Sequence, residues 1–182
     1  YPILLDQFPT DMLDQPVEAG TGSMDDPEGT TVLGANDDGI NQIVVTKTVT
    51  GEGDEKLTYF VADIYIRNIE NFRTAFAQGE YGHGYRDNTG TMAKDNNAVV
   101  ALSGDYYSIR DTGVVIRNGM LYREQAFRDV CVLYRDGSMR TYSKETFDIN
   151  EAVAGSAWQA WSFGPRLLEN GQPMTNAQFD TD

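Results

Sequence analysis

Apolar and polar positions alternate regularly only after about residue 41, and the alternation there predicts β-strands. The runs NQIVVTKTVT (41–50) and KLTYFVADIYIR (56–67) are rich in β-branched and aromatic residues and flank the turn cluster GEGDE, which is typical of a β-hairpin. In the second run both alternating sets are largely apolar, and Asp63 is the single charged side chain between Leu57 and Ile66. We therefore expect this strand to be covered on both faces.

The same pattern predicts further strands and hairpins along the chain. AVVALS is typical of a buried strand, and the later β-rich runs are interrupted by Asn-Gly or Asp-Gly pairs, which tolerate the positive φ angles of tight hairpin turns. Strands are expected at 41–67, 98–103, 113–123, 129–143 and 157–168, with turns at Asn118-Gly119, Asp136-Gly137 and Asn170-Gly171.

Helical periodicity is confined to short segments. A stripe of Ile69, Phe72 and Phe76 predicts a helix over 69–78, TMAKDN predicts a second, and FDINEAVAG predicts a third that Asp148 or Asn150 caps. The predicted fold class is α+β, a predominantly antiparallel or mixed β-sheet with a few short helices.

The first 40 residues differ from the rest in composition and charge. Residues 1–46 hold nine acidic side chains and no Lys or Arg, and residues 15–40 are rich in Gly, Pro, Asp and Thr without a period. We interpret 1–40 as an acidic N-terminal arm or loop, and 41–182 as the folded domain. The net charge of −14 argues against nucleic acid and anionic membrane surfaces as partners. No apolar run is long enough for membrane insertion.

The residue inventory restricts the chemistry. One cysteine, Cys131, excludes an internal disulfide, and one histidine, His83, excludes metal sites built from several histidines. The sequence has neither a GxGxxG motif nor a phosphate loop, so nucleotide use has no support, and we assign no cofactor and no metal ligands. An enzyme of this composition must work with carboxylates, arginines, hydroxyls and backbone amides.

The segment ALSGDYYSIRDTGVVIRNG (101–119) is the first candidate site. A predicted strand ends in Ser103-Gly104-Asp105, followed by two tyrosines, Arg110 and Asp111; such strand ends present functional groups on a rigid scaffold. Arg117 lies in an otherwise apolar strand and needs a partner. Pairing of Arg110 or Arg117 with Asp105 or Asp111 for structural reasons explains the pattern equally well.

The segment AWQAWSFGPRLLENG (157–171) is the second candidate. Gly164-Pro165 bends the chain after Ser162, and two tryptophans and Phe163 offer either sugar-stacking or core surface. Taken alone, Trp158 and Trp161 fit the core better than a ligand platform.

These segments, in this order, resemble the phosphodiester glycosidase family, which includes the uncovering enzyme of lysosomal sorting and bacterial exopolysaccharide biosynthesis proteins. The resemblance runs from about Asn41 to Asn176. YFVADIYIRNIENFRTAFA resembles the family's opening strand and helix, and NNAVVALSGDYYSIRDTGVVIRNGMLYRE its central strand, glycine turn and hairpin. DVCVLYRDGSMRTYS and AWQAWSFGPRLLENGQ resemble the following hairpin and the Gly-Pro strand.

The resemblance implies a hydrolase that cleaves the glycosidic bond of a sugar-1-phosphate diester. It implies Asp105, or second Asp63, as the carboxylate that activates water or attacks the anomeric carbon, and Arg110 and Arg117 as stabilisers of the phosphate. Implied substrate contacts are Ser103, Gly104, Tyr106, Tyr107, Trp161, Ser162 and Gly164. Asp105→Asn is expected to lower turnover by orders of magnitude with little change in melting temperature.

The resemblance also implies partners and a location. The substrate would be a phosphoglycan or sugar phosphate, and the protein a secreted or cell-surface bacterial protein. The family's Asn-Pro-Arg strand and Asp-Gly-Arg turn do not occur before Asp182. We therefore expect a second chain, a segment beyond Asp182 or a neighbouring molecule to supply the C-terminal part of the domain.

Two other functions stay open at this point. Ser103 stands where the family usually has Asn, which favours a non-catalytic glycan-binding or surface structural module. A metal-dependent phosphodiesterase that cleaves the P–O bond is disfavoured by the shortage of histidines.

Overall fold

The computed structural model describes residues 27–169 and 171–174, and the chain divides between Asn68 and Ile69 into two compact units. The described residues are mainly β, with antiparallel sheets and two short α-helices. The predicted α+β class is confirmed. No helix among these residues has both the length and the apolar character needed to cross a membrane.

The first unit contains a three-stranded antiparallel sheet. Its strands are β1 (Thr30–Asp37), β2 (Gln42–Thr50) and β3 (Leu57–Tyr65), in the order β1-β2-β3. The predicted hairpin of β2 and β3 is confirmed.

Strand β1 lies where an arm or loop was predicted. It begins with the β-branched residues Thr30, Thr31 and Val32, and it pairs with β2 across a register shift between Val32 and Gly34. The Thr30 and Thr48 hydroxyl oxygens lie 2.8 Å apart across the pair. Pairing with β2 continues the strand through Gly34 and Asn36, where local propensity is low.

The expectation that β3 is covered on both faces was wrong. Leu57, Val61 and Tyr65 are 56%, 43% and 77% exposed. β3 is an edge strand of its sheet: it pairs with β2 on one side, and no strand within the described residues pairs with its other side. Two apolar sets along a strand show what could be buried, not that another layer is present to bury it.

The second unit contains a five-stranded antiparallel sheet with β8 at its centre. The predicted hairpin turns at Asn118-Gly119 and Asp136-Gly137 are confirmed. Asn118 and Gly119 have the positive φ angles, 54° and 80°, that the first of these turns requires. The strand order is β5-β4-β8-β6-β7. The strands are β4 (Val115–Arg117), β5 (Met120–Arg123), β6 (Val130–Tyr134), β7 (Met139–Tyr142) and β8 (Ala157–Ser162).

Two capped helices and a small hairpin complete the described residues. α1 (Thr89–Asp95) begins after Asn88 and α2 (Ile149–Ala154) after Asp148, and each capping side chain accepts a backbone N–H of the first turn. A short hairpin joins β9 (Leu168–Glu169) to β10 (Gln172–Pro173). Of the predicted turn there, Asn170 lies outside the described residues.

The predicted helix over 69–78 was wrong. Two 3₁₀ turns, Ile69–Asn71 and Ala77–Gly79, flank a stretch without regular secondary structure. The carbonyl of Phe72 accepts hydrogen bonds from Trp158 Nε1 and Gln159 Nε2, at 2.7 and 3.3 Å. These partners lie more than 80 residues away in sequence, so helical spacing could not reveal them.

The predicted strand at 98–103 was also wrong. Residues 98–103 have no regular secondary structure, and Val99 and Leu102 are 38% and 64% exposed. A strand needs a hydrogen-bonding neighbour, and this stretch pairs with no strand within the described ranges. The apolar composition of residues 98–103 predicted a strand but could not show whether a neighbouring strand is present to pair with it.

The five-stranded sheet is covered differently on its two faces. One face packs on α2 through Ala152, with Ile149 and Phe147 at the margin. Its core comprises Val114, Ile116, Val130, Val132, Tyr134, Ala152, Ala157 and Ala160. Because paired residues share a face, Val115, Cys131 and Trp161 lie together on the opposite side, where the ring of Phe72 meets Trp161 edge-on.

A buried glutamine links this opposite face to the chain that covers it. Gln159 in β8 is 0% exposed. Its Oε1 accepts from the Asn118 N–H and the Thr74 hydroxyl, at 3.1 and 3.0 Å, and its Nε2 donates to Asn118 Oδ1 at 2.8 Å. The side chain therefore fixes the 69–79 segment to the β4–β5 turn.

We expect Gln159→Leu to destabilise the protein by about 2–3 kcal/mol, because it leaves buried donors and acceptors unpaired. Urea unfolding monitored by tryptophan fluorescence measures the change. Gln125→Leu, at an exposed position, is the matched control and should change the free energy of unfolding by less than about 0.5 kcal/mol. Equal effects of the two substitutions would contradict the structural role of Gln159.

Burial raises the pKa of the Cys131 thiol above its ordinary value. The folded protein therefore holds less thiolate at a given pH than the unfolded chain, and Cys131 should react slowly with Ellman's reagent. We expect the rate to keep rising above pH 9, where the reaction of the urea-unfolded chain levels off. Equal rates and pH profiles in both states would show that β6 does not shield this side chain.

Candidate functional site

A nearly buried ion pair lies at the end of β4. Arg117 is 3% exposed, and its Nη2 donates to Asp105 Oδ1 at 2.8 Å. Its Nη1 donates to the carbonyl oxygens of Ile116 and Ala160. Of the pairings considered from the sequence, the structure has Arg117 with Asp105.

Two aromatic rings flank this guanidinium. The Arg117 carbon Cζ lies 5.9 Å from the ring centre of Tyr107 and 5.7 Å from that of Trp161. Such contacts favour a cation where water is excluded. Trp161 thus supports the ion pair and is half-buried.

Arg123 shapes the loop that carries Asp105. Its Nε donates to the carbonyl of Gly113, and its Nη1 donates to the carbonyls of Tyr107 and Arg110. One side chain therefore satisfies three backbone acceptors of the 105–113 loop. Sequence reasoning missed Arg123, although counting outward from the Asn118-Gly119 turn places it beside this loop.

Tyr107 belongs to an aromatic cluster behind the loop. Its ring lies 5.3 Å from that of Phe76 and 5.7 Å from that of Tyr81, centre to centre. Burial raises the pKa of the Tyr107 hydroxyl, and the Arg117 charge partly opposes this shift. Tyr107 is thus a packed and neutral residue at ordinary pH.

A shallow pocket of about 10 Å³, open to solvent, lies against this loop. It brings together five residues proposed from the sequence: Asp105, Tyr106, Tyr107, Arg110 and Ser162. It also contains Thr112, Arg123 and Phe163, which were not among the proposed site residues. The ring centres of Tyr106 and Phe163 lie 6.2 Å apart, and the two residues are 49% and 58% exposed.

The other proposed residues do not line the pocket. Arg117 reaches it through Asp105, and Ser103 and Gly104 lie exposed just before that residue. Gly164 follows Phe163, and a Cβ there would lie 3.5 Å from the backbone nitrogen of Asp129.

Asp63 belongs to the first unit. It lies in β3, paired with Val44 of β2, and is exposed.

His83 lies at the surface, as expected for a histidine in a glycine-rich loop. Its Nδ1 is 2.9 Å from the carbonyl oxygen of Ser108, and its Nε2 is 3.3 Å from Asp111 Oδ1. Within residues 27–169 and 171–174, no group of three or more His, Cys, Asp or Glu side chains is placed to hold a metal ion.

Comparison with known proteins yields one distant partial relative at the level of sequence. The chain is 27% identical over 108 residues to the SPbeta prophage-derived uncharacterized protein YomE of Bacillus subtilis (strain 168). The match takes in 56% of this chain and 17% of the relative's length. No family model matches the chain, and no solved structure matches it.

The near-burial of the ion pair changes the expected effect of Asp105→Asn on stability. The Asp105 side chain is 12% exposed and that of Arg117 4%, so loss of the carboxylate leaves a buried cation without its counter-charge. We expect a loss of about 3 kcal/mol in the free energy of unfolding, measured in urea.

Asp111→Asn is the matched control. Its carboxylate is 94% exposed and pairs with an exposed histidine, so stability should change little. Indistinguishable unfolding midpoints for the two variants would contradict the assignment of Asp105 to a buried pair.

Proposed function

We propose that the pocket hydrolyses a sugar-1-phosphate diester at the anomeric C–O bond, on a surface or extracellular glycan. The observation that carries the proposal is the carboxylate of Asp105, held by Arg117 on the wall of a pocket that also contains Arg110. A carboxylate and a cation at one pocket suit this reaction, because the leaving phosphate carries charge that the protein must stabilise.

Arg110 is the residue we assign to the phosphate. It is exposed and lines the pocket, whereas the guanidinium of Arg117 is enclosed and that of Arg123 is bonded to backbone carbonyls. An exposed guanidinium can bind phosphate oxygens in a bidentate manner. Its backbone is fixed by Arg123, which holds the Arg110 carbonyl.

Asp105 is the residue we assign to water activation. Its Oδ1 accepts from Arg117, and we assign Oδ2 to the attacking water. The water oxygen bonds to the anomeric carbon and its proton passes to Asp105, while the electron pair of the C–O bond leaves with the phosphate oxygen. The products are the free sugar and a phosphate monoester, after which Asp105 releases its proton to solvent.

Tyr106 and Phe163 are suited to the sugar ring. Both aromatic side chains line the pocket and both are about half exposed, in contrast to the packed Tyr107. Exposed aromatic faces stack on the apolar faces of sugars. We therefore place the sugar over these rings, with its anomeric carbon toward Asp105.

A non-catalytic glycan-binding module is the alternative. The same two exposed rings favour it, since they would bind a sugar whether or not Asp105 acts on it. The two functions differ in the fate of the bound diester, so product analysis separates them.

The test measures hydrolysis of a sugar-1-phosphate methyl diester in ¹⁸O-labelled water. Cleavage at the anomeric carbon gives labelled reducing sugar and unlabelled methyl phosphate. Attack at phosphorus places the label in the phosphate product instead, either as labelled methyl phosphate with release of the sugar or as labelled sugar 1-phosphate with release of methanol. We expect the first pair of products. Arg110→Gln should lower kcat/KM by about 100-fold, because it removes charge stabilisation of the leaving group.

Arg86→Gln is the matched control and should leave kcat/KM unchanged, because Arg86 is an exposed arginine that does not line the pocket.

Asp105→Asn, assayed at a temperature where it stays folded, should lose turnover and still bind the diester. Binding by the wild type without turnover would support the glycan-binding module instead. If the wild type neither binds nor hydrolyses the diester, both functions are refuted.

A further inference from the structure

The outer edge of β3 lacks the features that usually prevent strands from pairing between molecules. It is a nine-residue strand without Pro or Lys, and Asp63 is its one charged residue. Nine residues extend about 30 Å, enough for a complete additional strand. Unprotected edges of this kind pair readily with another strand.

The other edge of the same sheet is different. β1 is interrupted by a register shift between Val32 and Gly34, and it ends at Asp37. Irregularities of this kind bend a strand and hinder pairing. One edge of this sheet is therefore blocked, while the other is regular along its length.

We propose that β3 pairs antiparallel with β3 of a second copy of this chain, about a two-fold axis at Val61. In this register Phe60 lies opposite Ala62, and Leu57 lies opposite Tyr65. Apolar residues thereby meet across the axis, and the three-stranded sheets join into one six-stranded sheet. An interface of this type is isologous and closes as a dimer.

Charge at the ends of the strand fits this register. Glu55 ends the 3₁₀ turn Gly53–Glu55 that precedes β3, and Arg67 follows β3 by two residues. Pairing about Val61 brings the end of this turn near Arg67 of the second copy, within reach of the Glu55 carboxylate, and symmetry forms this contact twice. Opposite charges across a strand pair stabilise it.

Another symmetric register is less favourable. An axis at Asp63 places two carboxylates directly opposite each other, which is destabilising, whereas an axis at Val61 places Asp63 opposite the tyrosine at position 59. The single charge of the strand thus discriminates between registers.

The test measures the mass of the full chain by sedimentation from about 1 to about 100 µM, the range in which small interfaces dissociate. We expect a reversible dimer of twice the 20.2 kDa chain mass. Val61→Lys places two ammonium groups together at the axis and should raise the dissociation constant at least about tenfold.

Leu33→Lys is the matched control. Leu33 lies in β1 of the same sheet and is 43% exposed, as is Val61, so the same substitution there should leave the dimer intact. Glu55→Arg and Arg67→Glu should each weaken the dimer, and the double variant should restore it, because exchanging both charges recreates the pairs.

Three results would overturn the proposal. They are a monomer throughout the concentration range, an assembly that Val61→Lys leaves unchanged, and an assembly that Leu33→Lys disrupts equally. In the last two cases the second copy docks elsewhere.

Discussion

A cation enclosed at the end of a central strand constrains most of the second unit. Arg117 is almost inaccessible to water, so each of its donors needs a partner within the protein, and its charge needs a carboxylate. The carbonyls of Ile116 and Ala160 belong to the sheet itself, but the carboxylate comes from Asp105, on a loop. The position of that loop follows from the requirement to neutralise Arg117.

Polar side chains, rather than apolar ones, organise this face of the sheet. Gln159 fixes the 69–79 segment and Arg123 fixes the 105–113 loop, in both cases by bonding to backbone groups that a helix or strand would otherwise satisfy. The α2 face is instead a continuous apolar core. One face therefore supplies stability by burial, and the other presents defined polar geometry beside the pocket.

The contrast explains what the sequence could predict. The Asn118-Gly119 hairpin and the Asp148 cap were predicted correctly because their causes, positive φ and a side-chain cap, are local. The helix over 69–78 was predicted wrongly because Trp158 and Gln159, far along the chain, bond the Phe72 carbonyl that a helix would have used. In the site, Asp105, Tyr106 and Arg110 were found from a polar loop beside apolar sequence. Phe163 was named only together with the two tryptophans, as either sugar-stacking or core surface. Its exposure in the pocket depends on the tertiary structure, so the sequence could not decide between the two.

The electrostatics of the pocket differ from those of the whole chain. The net charge of −14 repels anions at long range, yet screening at physiological salt confines charge effects to about 8 Å. Within that distance Asp105 is compensated by Arg117, while Arg110 and Arg123 place two further positive charges in the pocket lining. On the proposed function, this arrangement favours a substrate with a single negative charge at the pocket over a polyanion that must also lie along the acidic surface. Arg110, whose carbonyl Arg123 holds, is the exposed cation at the point where the proposal places the phosphate.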